Sequence, residues 1–185
     1  MTSGWPTAAD LLALREATPT YTLTDVAPVD PARALALWAD PETARRTNPL
    51  FAGFTVQRQE STAEGERLEF TVSERIPLPS ADAECFSIPI TFAAVLWTPH
   101  TEASGKDSTA AATLFSFAPA ACNVRVVNRW TFRAASDPQT TAVVQDTFIT
   151  APSCLHAFTV STARRGQEQG LRNNIALLTA ARQSN

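Results

Sequence analysis

The chain has 185 residues, of which 44% are hydrophobic and 18% are charged, and its formal net charge is -3. This length is that of a single domain, since a domain typically has roughly 150 residues. The basic residues are almost all arginine, with Lys106 the one lysine, and they form no run or stripe of positive charge. Such a distribution argues against nucleic acid as a partner.

Cysteine usage and the N-terminal sequence predict a cytoplasmic protein. Cys85, Cys122 and Cys154 are widely spaced, which is typical neither of a disulfide framework nor of paired CxxC zinc motifs. The N-terminus lacks a basic segment followed by an unbroken apolar stretch, and no segment has the roughly 18 consecutive apolar residues of a membrane span. We therefore expect free thiols and no membrane span.

The first part of the chain predicts a short extension, a strand and two consecutive helices. Asp30 before Pro31 and Asp40 before Pro41 each place an aspartate N-cap ahead of a proline at the first helical position. The stretch before them alternates apolar and polar residues as a strand does. The predicted elements are an N-terminal extension over 1–19, a strand over 20–26 and helices over 31–38 and 41–47.

The middle of the chain is dominated by β-branched and aromatic runs that turn-forming residues separate. Helical periodicity is weak there, so the pattern is typical of a meander of strands. The predicted strands cover 52–60, 66–76, 87–98, 111–118, 123–134 and 141–150. Polar, proline-bearing stretches at 77–84 and 101–108 are expected to form surface loops.

The last segment returns to helical spacing, because apolar residues and two amides recur at three- and four-residue steps from Val160 to Ala181. This spacing predicts one long amphipathic helix over about 154–182. The whole order of elements is that of an α+β protein. Its antiparallel sheet must bury an apolar face, and the long helix is the partner that the sequence offers.

This order resembles the START/birch-pollen-allergen-like (SRPBCC) superfamily over about residues 20–182, and the phrases TNPLF, SERIP, NRWTF and QDTF are similar to a fungal branch of it. The resemblance implies a helix-grip fold over 20–185, in which a curved seven-stranded antiparallel sheet with two short helices wraps around a long C-terminal helix. It also implies a deep apolar cavity between sheet and helix. Members of the superfamily bind lipids, hormones and polyketides, or cyclise them.

The absence of several motifs argues against hydrolase, kinase and zinc-protease chemistry. The sequence has no HExxH, GxSxG, Walker or GxGxxG pattern, and His100 and His156 are its two histidines. Metal ligands would have to come from scattered residues without favourable spacing. We therefore expect no metal and no cofactor.

Polar residues in phase with apolar ones on a strand are candidates for the cavity wall. On the strand NVRVVNRWTFRA, Asn128 and Trp130 share a face with Val126 and Phe132, and we expect this face to point inward. Core packing is the simpler role for Trp130, as it is for Trp97, which we also consider as cavity wall. Asn48, before Pro49, is either a turn residue or part of the cavity rim.

The strand TAVVQDTFIT carries a polar residue on each face, so one of Gln145 and Asp146 must point inward. We favour Asp146, together with Phe148, as the inward set. Burial of an unpaired carboxylate raises its pKa and makes it a general acid or base. The alternative is an Asp146 that faces solvent or pairs with Arg129.

The long helix carries Gln167 and Asn174 on the same stripe as Leu171, where a plain core would use apolar residues. These amides are candidate ligand contacts. Gly166 and Gly170 thin the same helix, either to admit a bulky ligand or to let the helix approach the sheet closely. His156 lies near the helix start, where it is either a residue of the cavity mouth or a packing residue.

These residues lead to a functional hypothesis. We expect a secondary-metabolite cyclase that acts on a hydrophobic small molecule without a cofactor. This expectation includes pericyclic cyclases of the Diels-Alder type. Asp146, Gln167 and Asn128 are its expected catalytic residues. The expected substrate contacts are Asn48, Trp97, Trp130, Phe148, His156, Leu171 and Asn174. The alternative is a carrier for a lipid, sterol or pigment; the oligomeric state stays open.

Overall fold

The structure is a computed structural model that describes residues 7–48, 51–63, 65–77, 87–99, 112–119 and 123–183. Its strands are β1 (Tyr21–Ala27), β2 (Phe51–Thr62), β3 (Gly65–Pro77), β4 (Ser87–Pro99), β5 (Ala112–Pro119), β6 (Arg125–Ala134) and β7 (Thr141–Thr150). Its helices are α1 (Ala8–Ala13), α2 (Pro31–Ala39), α3 (Pro41–Thr47) and α4 (Ser153–Gln183). The predicted elements and their order are confirmed, whereas the two predicted loops lie largely outside the described residues.

Local capping explains why α2 and α3 begin where the sequence predicts. The Asp30 side chain accepts a hydrogen bond from the Arg33 backbone N–H at 3.0 Å, and Asp40 accepts one from Glu42 N–H at 3.0 Å. Each aspartate precedes a proline, whose missing N–H is no loss in the first helical turn. Asp40 also ends α2, so the two helices meet at one residue.

The seven strands form one antiparallel sheet in the order β1-β7-β6-β5-β4-β3-β2. Consecutive strands from β2 to β7 are neighbours, and β1 adds to the free edge of β7. The sheet is curved, and its concave side faces α4. The predicted α+β helix-grip class is confirmed.

The concave side holds the main core, which α2 and α4 close. Leu171 and Leu178 of α4 pack with Phe132 and other apolar side chains of the sheet. Trp38 of α2 makes edge contacts with Trp130 and Phe132, with ring centroids 5.8 and 5.5 Å apart. Trp130 therefore faces inward as predicted, in the role of core packing.

The outer face of the sheet holds a second apolar cluster, which the N-terminal extension covers. Leu11 of α1 is 1% exposed and packs with Val95, Trp97 and Phe115. Trp97 therefore lies on the outer face, and the prediction that it forms part of the cavity wall is wrong. The apolar run of β4 has no polar alternation, so the sequence carried no signal for which face Trp97 takes.

Two further predictions concern membrane spans and the cysteine thiols. Within the described residues, no helix is both long and apolar enough to cross a membrane. Cys154 is a free, exposed cysteine in the first turn of α4. Cys85 and Cys122 lie outside the described residues, so the state of their thiols stays a prediction.

Replacing Leu11 tests whether the extension is part of the folded unit. Leu11→Ala should lower the free energy of unfolding by about 2 to 5 kcal/mol, because it leaves a cavity against Trp97 and Phe115. Val56→Ala, at a side chain that is 48% exposed, is the control and should change it by less than about 0.5 kcal/mol. Urea unfolding measures both, and equal effects would show that the extension does not pack on the sheet.

Candidate functional site

A cavity of about 180 Å³ lies between the helices and the concave side of the sheet. The helix pair α2–α3 forms one wall, β3 and β4 form the floor, and α4 closes the other side. Its lining includes Trp38, Ala44, Asn48, Phe70, Leu96 and Asn174. Asn48 and Asn174, which the sequence placed near such a cavity, therefore line the same space.

Two residues that line this cavity each carry a buried polar atom with no hydrogen-bond partner among the described residues. The atoms are the indole Nε1 of Trp38, a donor, and the amide Oδ1 of Asn174, an acceptor. Buried polar atoms in folded proteins are nearly always paired, with protein groups or with ordered molecules. Both atoms are covered by neighbouring protein atoms, so they lie behind the cavity surface.

A carboxyl group lies one hydrogen bond from this cavity. Asn48 Nδ2 donates to Glu74 Oε1 at 2.8 Å, which joins the end of α3 to β3. Burial raises the pKa of the Glu74 carboxyl, and the hydrogen bond from Asn48 opposes that rise. Glu74 was not predicted from the sequence. The signal was present, because Glu74 alternates with Phe70 and Val72 along β3 and so lies on the same face of the strand.

A second polar group, the amide cluster, joins α4 to β1, β6 and β7. It consists of Tyr21, Asn128, Gln145, Thr147 and Gln167. Gln145 Nε2 donates to Gln167 Oε1 at 2.6 Å and to Asn128 Oδ1 at 3.1 Å. Thr147 Oγ1 lies 2.7 Å from Gln167 Oε1 and 2.9 Å from Asn128 Oδ1.

Gln167 Oε1 is the centre of the amide cluster. Besides Gln145 and Thr147, the Tyr21 hydroxyl donates to it at 2.9 Å. Burial raises the pKa of Tyr21, so its hydroxyl keeps the proton that it donates. A hydroxyl has one proton, so Thr147 donates to either Gln167 or Asn128 at one time. Asn128 and Gln167 are thus brought together, and their described contacts join helix to sheet.

The inward assignment of Asp146 and Phe148 is wrong. Gln145 is completely buried and faces α4, so side-chain alternation places Asp146 on the outer face. There Arg129 Nη2 donates to Asp146 Oδ2 at 2.7 Å, and Thr22 Oγ1 donates to Asp146 Oδ1 at 2.7 Å. Phe148 lies on that face too, beneath the Arg129 guanidinium. The alternative pairing with Arg129 is the one observed.

The remaining candidates lie on α4. His156 is exposed in the first turn and does not line the described cavity. Leu171 is buried in the main core. A Cβ atom added to Gly166 or Gly170 would meet nothing within 4 Å, so close approach to the sheet does not explain these glycines.

The sequence matches no family model and no curated protein. Solved structures share its fold. TTHA0849 from Thermus thermophilus is 15% identical with a TM-score of 0.56, covering 86% of this chain and 97% of that one. A STAR-related lipid transfer protein from Xanthomonas axonopodis is 16% identical with a TM-score of 0.54, covering 89% of each chain.

A third structure has the same fold within a larger chain. The di-domain ARO/CYC BexL from the BE-7585A biosynthetic pathway is 12% identical with a TM-score of 0.52, covering 92% of this chain and 52% of that one. These likenesses show the helix-grip fold that the sequence resemblance implied. The narrower likeness to a fungal branch stays a prediction.

Two amide-to-leucine substitutions on α4 should have opposite effects on stability. Gln167→Leu removes the shared acceptor of the amide cluster and should lower the free energy of unfolding by about 1 to 3 kcal/mol. Asn174→Leu removes an unpaired buried oxygen and should leave stability unchanged or raise it. Thermal melts of the two variants compare them directly, and a similar loss in both would contradict the distinction.

The free energy of unfolding should also depend on the ionisation of Glu74. Because burial raises its pKa in the folded state, the ionised group destabilises the fold at neutral pH. Glu74→Gln should therefore stabilise the protein at neutral pH. The extra stability of the variant should vanish as the pH falls through the folded-state pKa of Glu74 towards the ordinary value of 4.5. Over that range wild-type Glu74 becomes protonated and loses its buried charge.

Urea unfolding between about pH 4 and pH 8 measures this difference for wild type and variant. Glu16→Gln, at an exposed residue ahead of β1, is the matched control and should show no such pH-dependent gain. An advantage of Glu74→Gln that stays constant with pH would contradict the role assigned to burial.

Proposed function

We propose that this protein binds a hydrophobic small molecule in the cavity between α2, α3, α4 and the concave sheet. The observation that carries the proposal is the cavity itself, which apolar side chains such as Phe70 and Leu96 line together with the polar residues Asn48 and Asn174. Ligand sites are typically apolar concavities with a few placed polar groups. Two neighbours of the same fold, named a lipid transfer protein and an ARO/CYC protein, support a ligand of this kind.

The cavity volume limits the ligand. An engineered apolar cavity of about 150 Å³ holds benzene, whereas drug-sized molecules occupy about 300 to 1,000 Å³. The observed 180 Å³ suits one or two rings, or one end of a longer molecule. We therefore propose that the described space receives the ring-bearing or cyclising end of the substrate.

For the reaction, we propose cyclisation under conformational control, including a pericyclic Diels-Alder type of ring closure. Asp40 is the one ionisable residue among the described lining, and its side chain caps α3. This arrangement favours chemistry that needs no proton transfer from the wall. Holding a flexible substrate in a reactive conformation contributes up to about 7 to 11 kcal/mol in well-oriented systems.

The same observation supports a carrier as the second candidate, because binding without catalysis needs no acid or base either. In both cases we propose that residues 20–185 form the functional domain and that the protein works in the cytoplasm. The enzyme would belong to fungal secondary metabolism. The widely spaced cysteines and the phrases that resemble a fungal branch support this setting.

Filling the cavity tests the proposed site. Ala44 lines it from α3, so Ala44→Leu should weaken binding of a small apolar probe such as toluene at least tenfold, through loss of volume. Ala32→Leu makes the same change at an exposed position of α2 and should leave binding unchanged. Calorimetric titration measures both affinities, and unaltered binding in a folded Ala44→Leu protein would place the probe elsewhere.

Enzyme and carrier differ in what the host accumulates. The products of the host with and without the gene should differ by an uncyclised precursor if the protein is a cyclase. A carrier would change the amount or distribution of a product and leave its ring structure intact. Mass spectrometry and NMR of the extracts distinguish the two outcomes.

A further inference from the structure

We infer that the cavity selects a small molecule with a protonated amine at one end, and that the Asp40 carboxylate at the cavity mouth binds this amine. The inference rests on the proposed function and names the chemistry of the ligand, which has an apolar ring inside the cavity and a cationic group at its opening. It follows from the charge and the exposure of the residues that line the cavity.

Asp40 lies at the mouth of the cavity. It is the one exposed residue among the described lining, whereas Trp38, Thr47 and Phe70 are buried. A residue that both lines a cavity and meets solvent lies at the boundary between the two. The cavity therefore opens beside Asp40, at the junction of α2 and α3, and a ligand contacts this carboxylate as it enters.

The Asp40 carboxylate has an oxygen available to a ligand. Its Oδ1 accepts from the Glu42 backbone N–H at 3.0 Å, and the described contacts leave Oδ2 unoccupied. None of the ion pairs among the described residues includes Asp40, and the nearby Arg45 pairs with Glu42. An ionised carboxylate only accepts hydrogen bonds, and it binds a cationic donor more strongly than a neutral one.

The surroundings of the cavity add a second negative charge and no positive one. Glu74 lies one hydrogen bond behind the lining, through Asn48, and it too belongs to none of the described ion pairs. No basic residue is part of the described lining. A cavity whose charges have one sign attracts ligands of the opposite sign. The two carboxylates therefore favour an ammonium group and disfavour a ligand carboxylate.

The position of Asp40 lets a charged ligand keep part of its hydration. Full burial of an ammonium group would be costly, but at the mouth the amine stays in contact with water. The ring then enters the space that Ala44, Phe70 and Leu96 line. The volume of about 180 Å³ holds one ring with a short side chain. The ligand is thus a compact aryl or alicyclic amine, or a longer molecule with such an end.

Three probes of similar size test the inference: benzylamine, which is cationic at pH 7, neutral benzyl alcohol and anionic benzoate. Asp40→Asn is the decisive variant, because asparagine keeps the N-cap of α3 while the charge is removed. Relative to wild type, it should bind benzylamine about threefold more weakly and benzoate about threefold more tightly, which is the size of an exposed ion pair. Benzyl alcohol should bind both proteins alike. NMR titration measures the affinities, and each probe is compared with itself, so hydration differences between probes cancel.

The chain offers a matched control at the start of the preceding helix. Asp30 caps α2 as Asp40 caps α3, but it is not part of the described lining, so Asp30→Asn should leave all three affinities unchanged. In wild type, benzylamine should shift the amide resonance of Glu42, which is bonded to Asp40, and not that of Arg33, which is bonded to Asp30. This measurement locates the amine even if Asp40→Asn fails to fold.

The outcomes separate this inference from the proposed function. If neither toluene nor any of the three probes binds, the cavity is not a ligand site and the proposed function fails. If toluene and benzyl alcohol bind but Asp40→Asn leaves benzylamine and benzoate unchanged, only the amine inference fails. If Asp30→Asn has the same effect as Asp40→Asn, the effect comes from the net charge of the protein and the inference is wrong. It is wrong as well if benzylamine leaves the Glu42 amide unmoved.

Discussion

The hydrogen bonds around Gln167 Oε1 are the contact on which the concave side depends. Helix α4 has 31 residues, and Leu171 and Leu178 are the buried hydrophobic residues among its described side chains. Apolar contacts of this kind allow a helix to slide and rotate, because the hydrophobic effect has no direction. The amide cluster adds direction, since donors from β1 and β7 converge on one oxygen of the helix. It sets both the rotation and the height of α4 above the sheet.

The cavity is a consequence of that placement. With Gln167 held at β7, Asn174 reaches the level of Phe70 and Leu96, opposite Trp38. The helix pair α2–α3 is held from two directions, through Asn173 to the end of α3 and through Asn48 to β3. Neither anchor fills the space between them. The cavity is therefore the gap left between elements whose positions are fixed by polar contacts around it.

The outer face of the sheet has its own polar anchor at Asp146, which follows Gln145 on β7. Asp146 binds Arg129, and Arg129 Nη1 also donates to the backbone oxygen of Leu14 at 2.6 Å. This contact holds the N-terminal extension over the apolar cluster around Leu11. Strand β7 thus carries a polar anchor on each face, Gln145 inward and Asp146 outward. The inner anchor holds α4, which follows β7 directly in the chain, and the outer anchor holds the N-terminal extension, which is distant in sequence.

The sequence by itself determined the elements, their order and the fold class, because N-caps, prolines and side-chain alternation act over a few residues. It also placed Asn128 and Trp130 on the inward face, since the strand around them has a distinct apolar side. Three matters depended on tertiary structure. Gln145 and Asp146 are both polar, and their partners on neighbouring elements, Gln167 for Gln145 and Arg129 for Asp146, are brought to opposite faces by the fold. Trp97 lies in a run that is apolar on both sides, so its face depends on where Leu11 packs. Glu74 and the unpaired atoms of Trp38 and Asn174 become visible when three elements meet, because a missing hydrogen bond is a property of the surroundings and not of the residue.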